Sequence, residues 1–314
     1  MKNADLERAL SAYLRIKPPD LRQIVRTAPY RYKHYQIDKR NGGKRDIFHP
    51  SPELKAIQRW LVENVLLNIP VSPSAMGYEK GCSIRDHARQ HLQSNYFTKL
   101  DFSNFFPSIQ LDWITRFLLE SLPDYDNEAI HSIARLACRW ADAGMPLALS
   151  IGAPSSPALS NRIMFALDTA LSEVASANDV TYSRYADDIY FSCAKANTLH
   201  DLEREARKII IEMTPALRLN EQKTLHTSRK RKVLISGVGI TSTRKLSIGR
   251  NLKRSIRTQV FLWSMGSLPA ENFPKLRGLL NFANDIEPEF LASLHRKFGD
   301  DLIKRFLAGD FERN

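Results

Sequence analysis

The stretch Val180-Thr-Tyr-Ser-Arg-Tyr-Ala-Asp-Asp-Ile-Tyr-Phe-Ser-Cys193 decides how the chain is read. Its flanks are β-branched and aromatic, so two strands are expected, with Tyr185-Ala186-Asp187-Asp188 at the turn between them. Adjacent carboxylates repel, and a turn holding both is costly unless a cation is near. A solvated Asp-Asp turn is the plain alternative. Asp101 shifts the balance towards chemistry. It ends a strand-like run, Phe97-Thr-Lys-Leu-Asp101, and is followed by Phe105-Phe106-Pro107. A strand-end acid beside a hairpin carrying two more builds an oxygen-only site, the kind Mg²⁺ prefers. Two such ions can clamp the attacking and leaving oxygens of a phosphoryl transfer. Asp168 sits in a helical run, is expected to face solvent, and is the weaker metal candidate. His49, His87 and His91 do not form a HExxH pattern, so zinc is not indicated.

Outward from this centre, the chain alternates helical and strand patterns. Residues 3–15 carry Leu6, Leu10 and Leu14 on one helical face, and Pro18-Pro19 breaks that helix. Residues 30–49 read as a hairpin around Asn41-Gly42-Gly43, its tip bearing Lys39, Arg40, Lys44 and Arg45. Helices are expected over 53–68, 83–93, 112–121, 127–141, 158–176 and 198–214, with a Gly/Pro/Ser-rich loop at 145–157. Short strands surround Gly237 and Gly239, and three or four helices follow Arg250. The pattern is a mixed α/β body with a basic, helical C-terminal part.

Charge is distributed unevenly. The 314 residues hold 46 Lys and Arg against 34 Asp and Glu, a net charge of +12 that points to a polyanionic partner. From Gln222 to Ala270, 49 residues contain no acid and eleven bases. The first 60 residues add 14 bases against 6 acids, so the middle is nearly neutral. A hydrophobic fraction of 43% excludes disorder as the overall class. Three scattered cysteines, Cys82, Cys138 and Cys193, form neither a disulfide framework nor a metal knuckle and suit a reducing cytosol. The N-terminus lacks the apolar core of a signal peptide, and no apolar run reaches about 18 residues. A cytoplasmic protein without a membrane partner is expected.

Three segments in this order carry a family resemblance. Tyr185-Ala186-Asp187-Asp188 resembles the Y-x-D-D motif of reverse transcriptases, Asp101 with Phe105-Phe106 their first catalytic motif, and Gly152-Ala153-Pro154-Ser155-Ser156-Pro157 their G-x-x-x-S-P motif. Within that superfamily the chain most resembles bacterial retron enzymes. Gly43-Lys44-Arg45-Asp-Ile-Phe-His-Pro50-Ser-Pro-Glu-Leu-Lys55 resembles their fingers motif, His87-Ala88-Arg89-Gln90-His91 their N-A-x-x-H element, and Ile235-Ser236-Gly237 their V-T-G element. It departs from the pattern at Ile151, where many relatives have Gln, at His87 for Asn, and at Ile235-Ser236 for Val-Thr.

The resemblance implies a right-hand polymerase of α/β (α+β) class: an RRM-like palm sheet, helical fingers with a β-hairpin, and a helical thumb. Expected limits are 1–98 for the N-terminal segment and fingers, 99–235 for the palm with interleaved fingers helices at about 111–145, and 236–314 for the thumb. It implies RNA-directed DNA synthesis from dNTPs, with Asp101, Asp187 and Asp188 holding two Mg²⁺ and Lys223 protonating pyrophosphate or standing as a surface lysine. Lys44 and Arg45 would grip the triphosphate or form a solvated turn, with Gly152 and Ala153 also at the nucleotide. Phe106 would exclude a ribose 2′-OH or pack in the core. Pro154, Ser155 and Ser156 would shape the template floor, although the serines can equally cap the next helix. His91, Ser236 and Gly237 would contact structured RNA, unless the histidine is structural. Arg250, Lys253, Arg254 and Arg257 would track duplex backbone. The retron likeness further implies a dedicated non-coding RNA as template and 2′-OH primer, a branched RNA–DNA product, and anti-phage defence with a separate effector protein. The open alternatives are a group II intron-like or diversity-generating enzyme, or a non-catalytic RNA-binding scaffold.

Overall fold

The computed structural model describes residues 1–38, 42–140 and 145–311. Along the chain run α1 (Asn3–Leu14), α2 (Pro18–Thr27), the hairpin β1 (Tyr32–Asp38) and β2 (Lys44–Pro50), α3 (Pro52–Asn64) and α4 (Ile84–Gln90). Then come β3 (Tyr96–Ser103), α5 (Phe105–Ser108), α6 (Leu111–Ser121), α7 (Asn127–Ala137), α8 (Ser155–Ile163) and α9 (Phe165–Ala177). β4 (Thr181–Tyr185), β5 (Asp188–Cys193), α10 (Thr198–Met213), β6 (Arg218–Leu219) and β7 (Leu225–Ser228) follow. The C-terminal third holds β8 (Val233–Ile235), β9 (Val238–Ile240), β10 (Leu246–Ser247), α11 (Arg250–Ser264), α12 (Phe273–Ile286), α13 (Pro288–Phe298) and α14 (Asp300–Ala308). No helix among the described residues is long and apolar enough to cross a membrane.

Two compact units interleave in sequence: residues 1–80, 99–191 and 200–224 in the first, and 81–98, 192–199 and 225–314 in the second. In the first, the sheet order is β4-β5-β3-β6, and helices supply the apolar layer against it. Leu100 and Phe102 of β3 and Ile189 and Phe191 of β5 are buried, as the hydrophobic strand runs require. The hairpin pairs Tyr32 with Pro50 through Asp38 with Lys44 in unbroken antiparallel register. Its expected tip residues Lys39, Arg40 and Asn41 lie outside the described residues. In the second unit, β10-β9-β8 form a small sheet on which α4 packs, and α11–α14 bury Ile256, Leu280, Leu294 and Phe306.

Three elements differ from the sequence pattern. The helix expected over 127–141 ends at Ala137, because Arg139 and Ala148 exchange backbone hydrogen bonds of 2.8 and 3.2 Å and draw the chain into a β-bridge. The helix expected over 158–176 is two helices. They meet at Met164, whose amide still donates to the Ser160 carbonyl at 3.0 Å. The expected loop ends earlier, at Ser155, since Pro157 in a first helical turn forfeits no intrahelical bond.

Candidate active site

Strand geometry builds the centre. Successive β3 side chains alternate faces, so Lys99 and Asp101 share one while Leu100 and Phe102 enter the core. β4 and β5 are joined by only two residues, Ala186 and Asp187. That tight link needs a positive φ, and Ala186 adopts φ 57°. The Phe102 amide donates to the Asp187 carbonyl at 3.0 Å, fixing the hairpin tip to the end of β3. The Asn220 amide donates to the Asp101 carbonyl at 2.7 Å and brings the Asn220–Lys223 turn to the same place.

The three acids expected at the centre therefore meet. Asp101 is buried, with 3% of its surface exposed. Burial raises Asp187 above the ordinary carboxylate range, and the Asp101 charge adds to that. Burial pushes Asp188 up to about 6, with Lys99 opposing the rise and Asp187 and Asp101 contributing to it. Two lysines balance this charge. Lys223 Nζ donates to both Asp101 oxygens, at 2.8 and 3.0 Å. Lys99 Nζ stands 2.7 Å from Asp188 Oδ1 and 5.5 Å from the centre of the Tyr190 ring. Among the described residues no three His, Cys, Asp or Glu side chains stand ready-arranged as a metal cage. The donor set nevertheless fits a hard dication. It is all oxygen, it is short of positive charge after burial, and ammonium groups already stand on two of its members. Lys99 escaped the sequence reading, although its position two residues before Asp101 on one strand face was the available signal.

The surrounding candidates fall into two groups. Lys44 and Arg45 are exposed on β2, Phe106 is half-buried, and Gly152 is exposed. Burial raises the Tyr78 hydroxyl pKa. Asp187 and Asp188 add to the rise and Arg45 opposes it, so all three charges lie within electrostatic reach of Tyr78. Gly152 lies at φ 109°, and a Cβ there would meet the Phe48 carbonyl oxygen at 2.8 Å. The Phe48 amide also donates to the Ile151 carbonyl at 2.8 Å, so only glycine lets this loop lie against β2. Ala153 is buried. The second group requires correction. Ser155 and Ser156 are 1% and 0% exposed, and Ser156 Oγ accepts from the Ser150 amide at 3.2 Å. Both hydroxyls are buried and face no template, and Ser156 holds the loop from inside; Pro154 beside them is half-buried. Asp168 is buried, not solvent-facing: Arg184 Nε and Nη2 donate to its two oxygens at 2.7 Å each, and the Tyr182 hydroxyl donates at 2.6 Å.

In the second unit, His91 is 0% exposed and its Nδ1 lies 2.7 Å from Ser192 Oγ, which donates to Ser94 Oγ at 2.8 Å. His91 is a structural core residue and does not reach a surface. His87 Nδ1 lies 3.0 Å from Ser236 Oγ, so the Ile235-Ser236-Gly237 turn is tied to α4, with Gly237 exposed. On α11, Arg250, Arg254 and Arg257 are exposed. Lys253 is instead half-buried and paired with Glu287, an acid well outside the acid-free window.

With this geometry in place, the family follows. A model of the family described as reverse transcriptase (RNA-dependent DNA polymerase) matches residues 37–240. The retron Ec83 reverse transcriptase of Escherichia coli is 34% identical over 291 residues, covering 91% of this chain and 93% of that protein. The chain belongs to the retron-type reverse transcriptases. It is an RNA-directed DNA polymerase. The retron Ec73 enzyme of Escherichia coli is 31% identical over 88% of this chain and 90% of its own length. For the retron Ec86 enzyme the identity is 29%, over 94% and 91%. In fold, the chain resembles telomerase from Candida albicans, with TM-score 0.52 and 12% identity, covering 90% of this chain and 61% of that one. This retron-type chain thus has the polymerase fold that its motifs implied.

Proposed function

We propose that the chain extends DNA from a primer hydroxyl at Asp101, Asp187 and Asp188, in a palm region carrying the β3 and β4–β5 strand ends. The supporting observation is the convergence of three carboxylates, Asp101 buried and Asp187 and Asp188 half-buried, two of them already holding ammonium groups. Two Mg²⁺ bound there would acidify the attacking hydroxyl and neutralise triphosphate charge. Asp101 and Asp187 would be the direct ligands, with Asp188 less direct. Lys223 is tethered to Asp101 and is placed to donate a proton to departing pyrophosphate. Arg45 and Lys44 bind the triphosphate by charge-assisted hydrogen bonds, while Phe106 crowds the sugar 2′ position. The basic face of α11 serves as a thumb surface that positions duplex through its phosphates.

We infer the finer reading from the retron resemblance of the motifs. The substrate is one structured non-coding RNA that supplies both template and a guanosine 2′-OH primer, and the product is a branched RNA–DNA molecule. The setting is the bacterial cytoplasm, in anti-phage defence alongside an effector protein. Asp187→Asn keeps the side-chain shape but removes a ligand charge, so dNTP incorporation should vanish while RNA binding persists. Full incorporation by that variant with Mg²⁺ supplied would overturn the assignment. Sequencing the nucleic acid that copurifies should return one short branched species; a mixed population would refute the dedicated template.

A further inference from the structure

Behind the catalytic turn lies an ion pair whose two side chains are both 0% exposed, Arg184 with Asp168. Beyond its two bonds to Asp168, Arg184 Nη1 donates to Asn161 Oδ1 at 3.1 Å and to the Ala186 carbonyl at 3.0 Å. Asn161 Nδ2 in turn donates to the Gly77 carbonyl and to Glu79 Oε1, both at 2.7 Å. The 75–77 segment closes against the same turn. Ala75 bridges Arg184 in parallel, the Met76 amide donates to the Arg184 carbonyl at 2.7 Å, and a Cβ on Gly77 would meet the Ala186 amide nitrogen at 2.9 Å.

This arrangement answers a specific need. Ala186 is a non-glycine residue at φ 57°, a conformation that persists only where its surroundings over-determine it. Arg184 holds its carbonyl, Gly77 packs on its amide, and Asp187, the next residue, is held by Phe102. A buried ion pair is weak evidence of stabilisation, since apolar residues of the same volume often serve stability as well. The guanidinium's fork shape is what lets one group grip Asp168, Asn161 and the turn together.

We propose that Arg184, oriented by Asp168 and Asn161, is the positioning residue of the catalytic turn: it touches no substrate, and it sets where Asp187 presents its carboxylate. This rests on the reading of Asp187 as a catalytic ligand. Arg184→Lys keeps the buried charge opposite Asp168, but one ammonium cannot span all three partners. Its kcat for dNTP addition should fall about 10–100-fold, the usual cost of losing a group that orients a ligand, and more Mg²⁺ should be needed for half-maximal rate. The dNTP KM and the affinity for RNA should stay within about twofold, because their groups lie elsewhere. A purely structural role would lower the active fraction, which also reduces apparent kcat at unchanged KM, but it would leave the Mg²⁺ dependence and the rate per titrated active site unmoved. Arg184→Met/Asp168→Leu is the second variant, removing both charges at similar volume. The proposal expects it folded and slow. Full kcat in either folded variant, or loss of folding in both, overturns the proposal. Asp187→Asn assayed alongside separates the two ideas: if that variant is inactive while Arg184→Lys is fully active, positioning fails and the site stands. If Asp187→Asn is active, the site reading itself fails.

Discussion

Removing charge from α11 gives a quantitative test, because its four bases are not equivalent. Arg250, Arg254 and Arg257 are exposed, whereas the Lys253 ammonium is paired with Glu287 and lies 5.8 Å from the Phe290 ring centre. Glu287 is itself held, accepting from the Ser247 hydroxyl at 3.0 Å and the Ile248 amide at 3.2 Å. A cation already neutralised within the protein displaces no counterion from nucleic acid. Each phosphate that the protein no longer neutralises flattens the plot of log affinity against log salt by about 0.7–0.9. Arg250→Gln/Arg254→Gln should therefore flatten it by about 1.4–1.8, so that between roughly 50 and 200 mM salt the wild type loses about tenfold more affinity than the variant. Lys253→Gln should leave the slope unchanged and lower thermal stability instead, since it strands the Glu287 carboxylate. Fluorescence anisotropy with a labelled RNA–DNA duplex of arbitrary sequence, titrated across that salt range, measures the slopes, and a melting curve measures the stability. Equal flattening by Lys253→Gln would mean that Lys253 leaves Glu287 to grip phosphate. An unchanged slope in the double variant would remove α11 from the interface.

Phe106→Ala should relax sugar discrimination, because the half-buried ring would no longer crowd a 2′-OH; the ratio of rNTP to dNTP incorporation reports it, and an unchanged ratio makes Phe106 core only. Acid should weaken the second unit through His87 and His91, whose pKa values burial lowers from 6.5 to about 4 and about 3, with the His87 charge adding to the second shift. Both folded values lie below the unfolded one, so the stabilisation is complete above pH 6.5 and is lost as pH falls, the unfolded chain taking up protons that the folded chain refuses. Between about pH 7 and 5 each ring should cost about 2 kcal/mol. Urea midpoints at the two pH values should show this loss, and His87→Gln should remove about half of it; a midpoint insensitive to pH would contradict the burial argument.

Local chemistry explains which parts of this were readable from sequence. The β4–β5 hairpin and the end of β3 were legible because alternation and a turn carrying two acids are nearest-neighbour signals. Buried Ser156 and His91 were not, because the partners that satisfy them, Ser150 and Ser192, are set by the fold and not by the local pattern. Asp168 had a signal that charge obscured. It stands at the i+4 place of the face formed by Met164, Leu171 and Ala175, all buried, so the helical period put it inside. Its partner Arg184 carried no sign of burial, because its strand neighbours Thr181, Tyr182, Ser183 and Tyr185 all bear hydroxyls. The Lys253–Glu287 pair spans 34 residues and two helices, beyond the reach of any charge window.

The first unit uses cations of two kinds near its acids, and their exposure separates the roles. Arg184 is sealed, and its hydrogen bonds to Asp168, Asn161 and Ala186 commit it to one geometry. Lys223 and Lys99 keep 57% and 26% of their side chains exposed and approach their acids as single ammonium groups on flexible stems. A sealed, fork-shaped cation can shape a turn but cannot leave it. A half-exposed ammonium can neutralise a buried carboxylate and then yield its place, because water is at hand to receive it. The sealed cation therefore belongs to the frame that holds Asp187 in position. The displaceable pair belongs to the reacting centre, where Asp101 and Asp188 would otherwise face each other across a buried, uncompensated charge.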